Sequence, residues 1–206
     1  LCSNFMINPP IELQNAVQNL LKDLDPGDLV LVGCSGGADS LALVWTTSVV
    51  GKRLELKTGA VIVDHQLISE SNDVAQNAKK QCEELGIEKV IIKKVEVNQT
   101  NEGLEAAARI ARYEAFENVL HETNAKVILL AHTQDDQAET VLMRLTRGSG
   151  AKSLSGMSAI SGKYLRPFLH LRKKIVHDSL DVIGMKAWQD PANFDNQYLR
   201  VKVRQE

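Results

Sequence analysis

Residues 29–40 read LVLVGCSGGADS, which joins four consecutive apolar residues to a glycine-rich turn. A short apolar run bounded by turn residues is typical of a strand that is covered on both faces in a parallel sheet. From Ala38 onward the pattern is helical, so the stretch predicts a strand, a tight turn and a helix in direct succession. The turn then lies at the carboxyl end of the strand, where open α/β sheets bind their ligands.

The same alternation of strand and helix continues on both sides of this stretch. Apolar runs predict strands at 29–32, 60–63, 90–92 with a tail at 95–97, and 127–130. Helical patterns cover 11–24, 38–50, 69–85, 104–121, 134–147 and 170–183. Such alternation indicates right-handed βαβ units, so the expected fold is α/β: a doubly wound, mostly parallel sheet with helices on both faces.

Two segments lack this pattern. Residues 148–162 are rich in Gly and Ser and show neither a helical nor a strand period, which predicts a mobile loop of the kind that is usually either functional or disordered. Residues 190–206 have no clear core pattern and are expected to lead toward a region that is absent from this chain.

The composition is that of one soluble globular domain, with 206 residues of which 44% are hydrophobic. No run approaches the roughly 20 apolar residues of a membrane span, and the first ten residues lack the layout of a secretory signal. We therefore expect a cytoplasmic protein with no membrane partner. Cys2, Cys34 and Cys82 lie far apart without a CxxC pair and are expected to be reduced thiols.

The charges are distributed unevenly along the chain. Residues 1–143 carry 12 Lys+Arg and 21 Asp+Glu, whereas residues 144–206 carry 12 and 5. A basic C-terminal third is compatible with binding to a polyanion such as nucleic acid, and equally with a solvated surface that aids solubility.

The turn after the first strand has the properties of an anion-binding site. Gly36 and Gly37 permit positive φ angles and close backbone approach, and the N–H groups at the start of the following helix are free to bind phosphate oxygens. Ser35 and Ser40 add hydroxyl donors, while Asp39 suggests a bound cation such as Mg²⁺. The alternative is an ordinary glycine-rich turn in which Asp39 only favours the helix dipole.

The loop contains neither GxxxxGK[ST] nor GxGxxG, which disfavours Walker-type and dinucleotide-binding folds. Residues 35–40 instead resemble the SGGxDS signature of the PP-loop ATP pyrophosphatases. This resemblance implies cleavage of ATP between its α and β phosphates, on a fold of the adenine nucleotide alpha hydrolase type.

Three further segments fall at strand ends or on one helix face. The second strand ends in Asp64-His65, and a later helix places Arg109 and Arg112 on one face, where both can bind phosphate or carboxylate. The fourth strand runs into a segment whose first helical turn holds three carboxylates, Asp135, Asp136 and Glu139. The helix dipole alone accounts for such a cluster, but mutual repulsion suggests a cation partner, either Mg²⁺ or an ammonium group.

Together these segments resemble the N-terminal catalytic domain of the tRNA(Ile)-lysidine synthetases. The resemblance rests on the PP-loop, Val63-Asp64-His65, the Glu105-to-Tyr113 helix, the His132-to-Thr140 segment, the Arg147-Gly148-Ser149-Gly150 turn, Arg166-Pro167-Phe168 and Asp190-Pro191-Ala192-Asn193. It implies a catalytic domain at 11–186 and a tail at 187–206 that leads to a tRNA-binding region. The implied reaction attaches free L-lysine to C2 of the wobble cytidine of an isoleucine tRNA with a CAU anticodon, through an adenylated intermediate, and yields AMP and pyrophosphate.

The resemblance and the residue chemistry assign roles as follows. ATP is assigned to Ser35, Gly36, Gly37, Ala38, Asp39, Ser40, Asp64, His65, Arg109 and His132, with Mg²⁺ on Asp39. Catalysis is assigned to Asp39, Asp136, Glu139 and Arg109, and lysine binding to Asp136, Glu139 and Arg112. Contacts to tRNA are assigned to Arg144, Arg147, Arg166, Arg200 and Arg204, with Lys152, Lys163 and residues 172–174 as further basic positions. For Arg172-Lys173-Lys174, a solvated helix face is the favoured interpretation.

Two other functions remain open at this point. A tRNA thiolating enzyme on the same ATP-cleaving loop generally needs paired or reactive cysteines, and this chain offers Cys34 beside the loop and an isolated Cys82. A non-catalytic ATP-binding sensor would need neither the carboxylate cluster nor the basic C-terminal third. A homodimer is also left open.

Overall fold

The computed structural model describes residues 7–97, 103–146 and 155–189. Its sheet has six strands, β1 (Leu29–Gly33), β2 (Lys57–Asp64), β3 (Lys89–Lys94), β4 (Val127–Leu129), β5 (Ile160–Ser161) and β6 (Tyr164–Leu165). They follow the order β3-β2-β1-β4-β6-β5. Every pairing is parallel except that of β5 with β6. The predicted α/β fold with a mostly parallel sheet is confirmed.

Six α-helices and one 3₁₀ turn accompany the sheet. They are α1 (Ile11–Leu21), α2 (Ala38–Arg53), α3 (Ser71–Glu84), α4 (Leu104–Thr123), α5 (Gln134–Thr146), the 3₁₀ turn Pro167–His170 and α6 (Lys173–Asp181). In the part of the chain that the structure describes, no helix is both long and apolar enough to cross a membrane.

The two faces of the sheet bury different sets of side chains. Along β1, Val30 and Val32 join a core cluster that contains residues of α1, α2, α3 and α6. Leu31, between them, faces the opposite side and packs in a second cluster with Phe116 of α4. Because successive strand residues point to opposite faces, this unbroken apolar run is explained by helices on both sides.

The strand order sets the position of the site. β1 lies between β2 and β4, so the chain leaves β1 toward one edge of the sheet and later returns on its other side. At such a switch point the loops after neighbouring strands diverge and leave a crevice at their carboxyl ends. The glycine-rich turn after β1 lies at this crevice.

Some predicted boundaries are wrong. Residues 95–97 lie outside β3, and the last helix begins at Lys173 after a 3₁₀ turn rather than at His170. The hairpin of β5 and β6 was not predicted, and β5 falls within the segment expected to be a loop. A strand of two residues is too short to show a periodic pattern in the sequence. β6 forms by pairing with β4: the N–H of Ile128 donates to the Lys163 carbonyl and the N–H of Leu130 donates to the Leu165 carbonyl, both at 2.8 Å. Residues 148–154 of the predicted loop lie outside the described residues.

Candidate active site

A cavity of about 610 Å³ opens at the carboxyl ends of β1, β2 and β4. Many of the predicted ligand-binding residues line it: Ser35, Gly37, Asp39, Ser40, Asp64, His65, Arg112, His132 and Asp136. Residues separated by up to 100 positions in the sequence therefore meet in one place. Trp188 also lines the cavity, although the sequence analysis did not single it out.

The glycine-rich turn is closely packed at Gly36. Its φ of +79° lies in the left-handed region, and a Cβ atom added there would lie 3.2 Å from the Cβ of Ala78 on α3. Both constraints favour glycine, since a side chain would be strained and crowded.

Within the turn, short-range hydrogen bonds hold the loop in shape. The Ser40 hydroxyl donates to the Gly37 carbonyl (2.8 Å) and accepts from the Ser35 N–H (3.2 Å). The Gly37 N–H donates to the Ser35 hydroxyl and the Gly36 N–H to the Cys34 sulfur, both at 3.4 Å. The bond donated by Gly37 is long for an oxygen acceptor, and the sulfur that accepts from Gly36 is a weak acceptor. Charged phosphate oxygens would be stronger acceptors for both donors.

Cys34 and Cys82 are buried free thiols, as predicted, while Cys2 lies outside the described residues. A hydrogen bond from Cys82 lowers the pKa of Cys34 and outweighs the opposing effect of burial. The same interaction, together with burial, raises the pKa of Cys82.

Asp39 at the start of α2 faces two basic side chains from α6. Lys173 Nζ lies 3.3 Å from Asp39 Oδ2, and His177 Nε2 lies 3.0 Å from Asp39 Oδ1. Lys173 Nζ also lies 3.8 Å from Asp136 Oδ1. The expectation of a solvated face for residues 172–174 is therefore wrong at Lys173, which is 29% exposed and points toward the carboxylates.

Asp136 combines a structural contact with exposure to the cavity. Its Oδ2 accepts the N–H (2.8 Å) and the hydroxyl (2.9 Å) of Thr133, which precedes α5, in an arrangement of the capping-box type. Burial raises the pKa of Asp136, but the Thr133 donors and the positive charge of Lys173 outweigh it and hold the pKa below its usual range. The neighbouring Asp135 accepts the backbone N–H of Lys173 (2.7 Å) and so joins α5 to α6.

The carboxylates of Asp39 and Asp136 have the donor chemistry that Mg²⁺ requires. They share the ammonium of Lys173, which marks this corner of the cavity as a cation site. Among the described residues, no group of three or more His, Cys, Asp or Glu side chains could hold a metal ion. Mg²⁺ is commonly bound through one or two carboxylates together with substrate phosphates, and this pair fits that mode.

The opposite wall of the cavity is basic. Arg112 Nε lies 3.4 Å from His65 Nε2. Burial, reinforced by the charge of Arg112 and opposed by Asp64, lowers the pKa of His65 to about 4. For His132 the same value of about 4 results from burial and from Arg166, with Asp136 opposing. Both imidazoles are therefore neutral at pH 7.

Several buried polar atoms on this wall have no hydrogen-bond partner among the residues that the structure describes. They are Nδ1 of His65, Nδ1 of His132 and Oδ2 of Asp64, a residue only 4% exposed. The other carboxylate oxygen of Asp64 accepts the N–H of Gln66 (3.0 Å). Because buried polar groups are normally satisfied, these atoms are suited to polar contacts with a ligand.

The structure does not bring every predicted residue to the cavity lining. Arg109 lies over the ring of Tyr113, 5.0 Å from its centroid, beside a separate surface depression on α4. Glu139 is buried on α5 and does not line the cavity.

The predicted tRNA contacts are distributed as follows. Arg166 is only 6% exposed and donates to the Ser158 carbonyl (2.8 Å) and the Tyr113 hydroxyl (3.3 Å), so its guanidinium lies inside the protein rather than on a surface open to phosphates. Arg144 is half-buried and donates to the Ser155 carbonyl. Arg147, Lys152, Arg200 and Arg204 lie outside the described residues.

The sequence analysis missed Thr133, His177 and Trp188. Thr133 carries a local signal, because a Thr followed three residues later by a carboxylate at a helix start is a capping pattern. His177 lies one turn after Lys173 on α6, but no local pattern relates either residue to Asp39, which precedes them by more than 130 positions.

The parallel sheet, the SGGxDS turn at its switch point and the adjacent carboxylates define a PP-loop ATP-binding domain. The sequence matches the PP-loop domain family over residues 10–206, and the chain belongs to this family. Its curated relatives include a tRNA(Ile)-lysidine synthase from Thermobifida fusca, 48% identical over 199 residues that cover 96% of this chain and 61% of that protein. Another, from Leifsonia xyli subsp. xyli, is 48% identical over 181 residues, covering 88% of this chain and 54% of that protein.

These relatives confirm the resemblance to the tRNA(Ile)-lysidine synthetases, and this chain spans a little more than half of their length. Among solved structures, a U34-tRNA thiolase from Methanococcus maripaludis with its iron–sulfur cluster matches with a TM-score of 0.77 and 20% identity. The match covers 95% of this chain and 71% of that chain, and at this identity it supports the fold alone.

Proposed function

We propose that this chain is the ATP-binding catalytic domain of a tRNA(Ile)-lysidine synthetase. The observation that carries the proposal is the pairing, on one cavity, of the PP-loop with two carboxylates, Asp39 and Asp136, that already hold an ammonium group. The first feature suits a triphosphate, and the second suits both a magnesium ion and the side chain of lysine.

In the first step, O2 of the wobble cytosine attacks the α-phosphorus of ATP, the bond to the bridging oxygen breaks, and pyrophosphate leaves. The loop N–H groups at Gly36 and Gly37 and at the start of α2 would stabilise the negative charge on the departing group. Mg²⁺, held by Asp39 and the phosphates, would supply further charge neutralisation. The product is a cytidine whose O2 carries AMP and whose C2 is electrophilic.

In the second step, the ε-amine of free lysine attacks C2 and AMP departs. The lysine ammonium must be held near C2 and must lose a proton to solvent before it attacks. We assign its binding to Asp136, which lines the cavity and whose lowered pKa keeps it ionised, with Glu139 one turn further along α5 as a supporting carboxylate. Arg112, on the basic wall, would pair with the carboxylate of the lysine substrate.

The tRNA is expected to approach from the basic C-terminal third and from the part of the full-length protein that follows this chain. Arg144, Arg147, Arg200 and Arg204 are retained as proposed phosphate contacts. Arg166 is better suited to position Tyr113 and the 155–158 segment, because its guanidinium is turned inward. The domain division at 186/187 and a homodimer stay predictions.

The deciding experiment uses the full-length protein with ATP, radiolabelled lysine and tRNA transcripts that carry a CAU anticodon. We expect lysine to be incorporated into the isoleucine tRNA, with one AMP and one pyrophosphate formed per lysine, and little incorporation into the methionine tRNA. Formation of ADP, or lysine-independent turnover that adds sulfur to the tRNA, would contradict the proposal.

A further inference from the structure

The chain after α6 returns to the PP-loop. Residues Met185–Trp188 lie against α3 and the loop, and the N–H of Trp188 donates to the Gly36 carbonyl (2.9 Å). The carbonyl of Lys186, two residues earlier, accepts a hydrogen bond from the buried Gln81 side chain of α3 (2.7 Å). We call residues 173–188, that is α6 and the segment that follows it in the sequence, the C-terminal brace.

The brace contacts the PP-loop at both of its ends. At one end Lys173 and His177 face Asp39 at 3.3 and 3.0 Å. At the other end Trp188 holds the carbonyl of Gly36, three residues earlier in the loop. Two independent contacts therefore fix the loop relative to the rest of the domain.

Gly36 is the position where such support matters most. Glycine has the greatest conformational freedom of any residue, so an unsupported glycine loop would lose much entropy when a phosphate orders it. Here a Cβ atom built on Gly36 would lie 3.2 Å from the Cβ of Ala78 and 3.8 Å from the Cβ of Trp188, so both residues pack against the glycine. A loop that is ordered before the ligand arrives binds it more tightly.

We infer that Trp188 is a positioning residue for the nucleotide, acting through the backbone of Gly36. The inference rests on the proposed use of ATP by this loop. Trp188 contributes its N–H to the Gly36 carbonyl and packs its Cβ against the glycine, while its half-buried side chain lines the cavity.

The test uses four variants of the full-length enzyme. Trp188→Pro removes the N–H that the Gly36 carbonyl accepts. Trp188→Ala removes the indole but keeps that N–H and the Cβ, and Gln81→Leu removes the side chain that anchors the brace. Lys186→Ala is the matched control, because it removes an exposed side chain from the same segment and leaves the backbone carbonyl that Gln81 binds.

Two quantities are measured. The first is ATP affinity by calorimetry, with KM for ATP and kcat from AMP formation. The second is amide hydrogen exchange, without nucleotide, in the peptide that contains residues 33–41. We expect Trp188→Pro to raise the Kd and the KM for ATP about tenfold, with kcat changed less than about twofold, and to exchange the loop amides about tenfold faster. Trp188→Ala and Lys186→Ala should stay within about threefold of wild type, and Gln81→Leu should fall between.

The outcomes separate this inference from the proposed function. If wild type binds ATP and Trp188→Pro matches it in both Kd and loop exchange, Trp188 does not position the loop. If Trp188→Pro and Trp188→Ala lose affinity equally while loop exchange is unchanged, the effect does not pass through Gly36 and the inference is also wrong. If wild type binds no ATP, the proposed function fails, and loop exchange alone decides whether Trp188 orders Gly36.

Discussion

The ammonium of Lys173 lies 3.3 Å from the carboxylate of Asp39, although 134 positions separate the two residues. The same ammonium lies 3.8 Å from Asp136. Lys173 therefore pairs both with Asp39, the carboxylate assigned to Mg²⁺, and with Asp136, the carboxylate assigned to the substrate lysine. A magnesium ion or a substrate ammonium that enters this corner must therefore compete with Lys173.

Replacement of Lys173 by methionine removes this competitor while keeping most of the side-chain volume. We expect Mg²⁺, titrated into the full-length protein without nucleotide, to bind about fivefold more tightly, since a partly exposed ion pair is worth about 1 kcal/mol. Isothermal calorimetry measures the change. Lys174→Met is the control, because Lys174 pairs with Asp178 (2.7 Å) on the exposed face of the same helix. Unchanged or weaker Mg²⁺ binding by Lys173→Met would show that Lys173 is not a competitor.

Gly36→Ala tests whether the PP-loop tolerates a side chain. The methyl group would be forced to a φ of +79° and to 3.2 Å from the Cβ of Ala78, so the loop must distort. A left-handed conformation costs an alanine about 1–2 kcal/mol, and we expect at least a roughly tenfold loss of ATP affinity, measured by calorimetry.

Gly27→Ala is the matched control for this substitution. Its φ of +87° imposes a similar backbone strain, but nothing lies within 4 Å of the added methyl group, and the residue is not among those that line the cavity. It should lower stability and leave ATP affinity unchanged. Equal losses of affinity in the two variants would mean that the effect is one of general stability.

Thr133→Ala tests the cap that orients Asp136. The Thr133 hydroxyl donates to Asp136 Oδ2 (2.9 Å) at the start of α5, and loss of an N-cap oxygen costs about 1 kcal/mol of unfolding free energy. Chemical denaturation measures this cost. Thr133→Ser keeps the hydroxyl and should recover most of the stability, whereas equal destabilisation by the two variants would assign the effect to the lost methyl group.

Much of the site could be predicted from the sequence because its parts are local. Gly36, Gly37 and Asp39 lie within one loop, and Asp64 and His132 each follow an apolar run directly. The rule that ligands bind beyond the carboxyl ends of parallel strands is enough to bring these segments together. The orientation of a helix face is harder to predict: Arg109 lies over the ring of Tyr113, and its role at the nucleotide stays a prediction.

The remaining contacts of the site depend on how α6 packs against the loop. Lys173 belongs to a basic run that resembles an ordinary solvated surface, and Trp188 lies beyond the last predicted helix. No spacing in the sequence relates either residue to the PP-loop, because tertiary packing alone brings them there. The short strand β6 was missed for a similar reason, since its two residues are strand only through their pairing with β4.

His132 gives a prediction for the pH dependence of stability. Burial and the charge of Arg166 lower its pKa to about 4, whereas an unfolded histidine titrates near 6.5. Between these two values the unfolded chain binds a proton at this position that the folded chain does not, so acidification from pH 6.5 toward 4 destabilises the fold. The variant His132→Gln cannot titrate, and its unfolding free energy should fall less than that of wild type between pH 7 and pH 5. Denaturation curves at the two pH values measure the difference, and parallel losses in both proteins would mean that His132 is protonated in the folded state as readily as in the unfolded one.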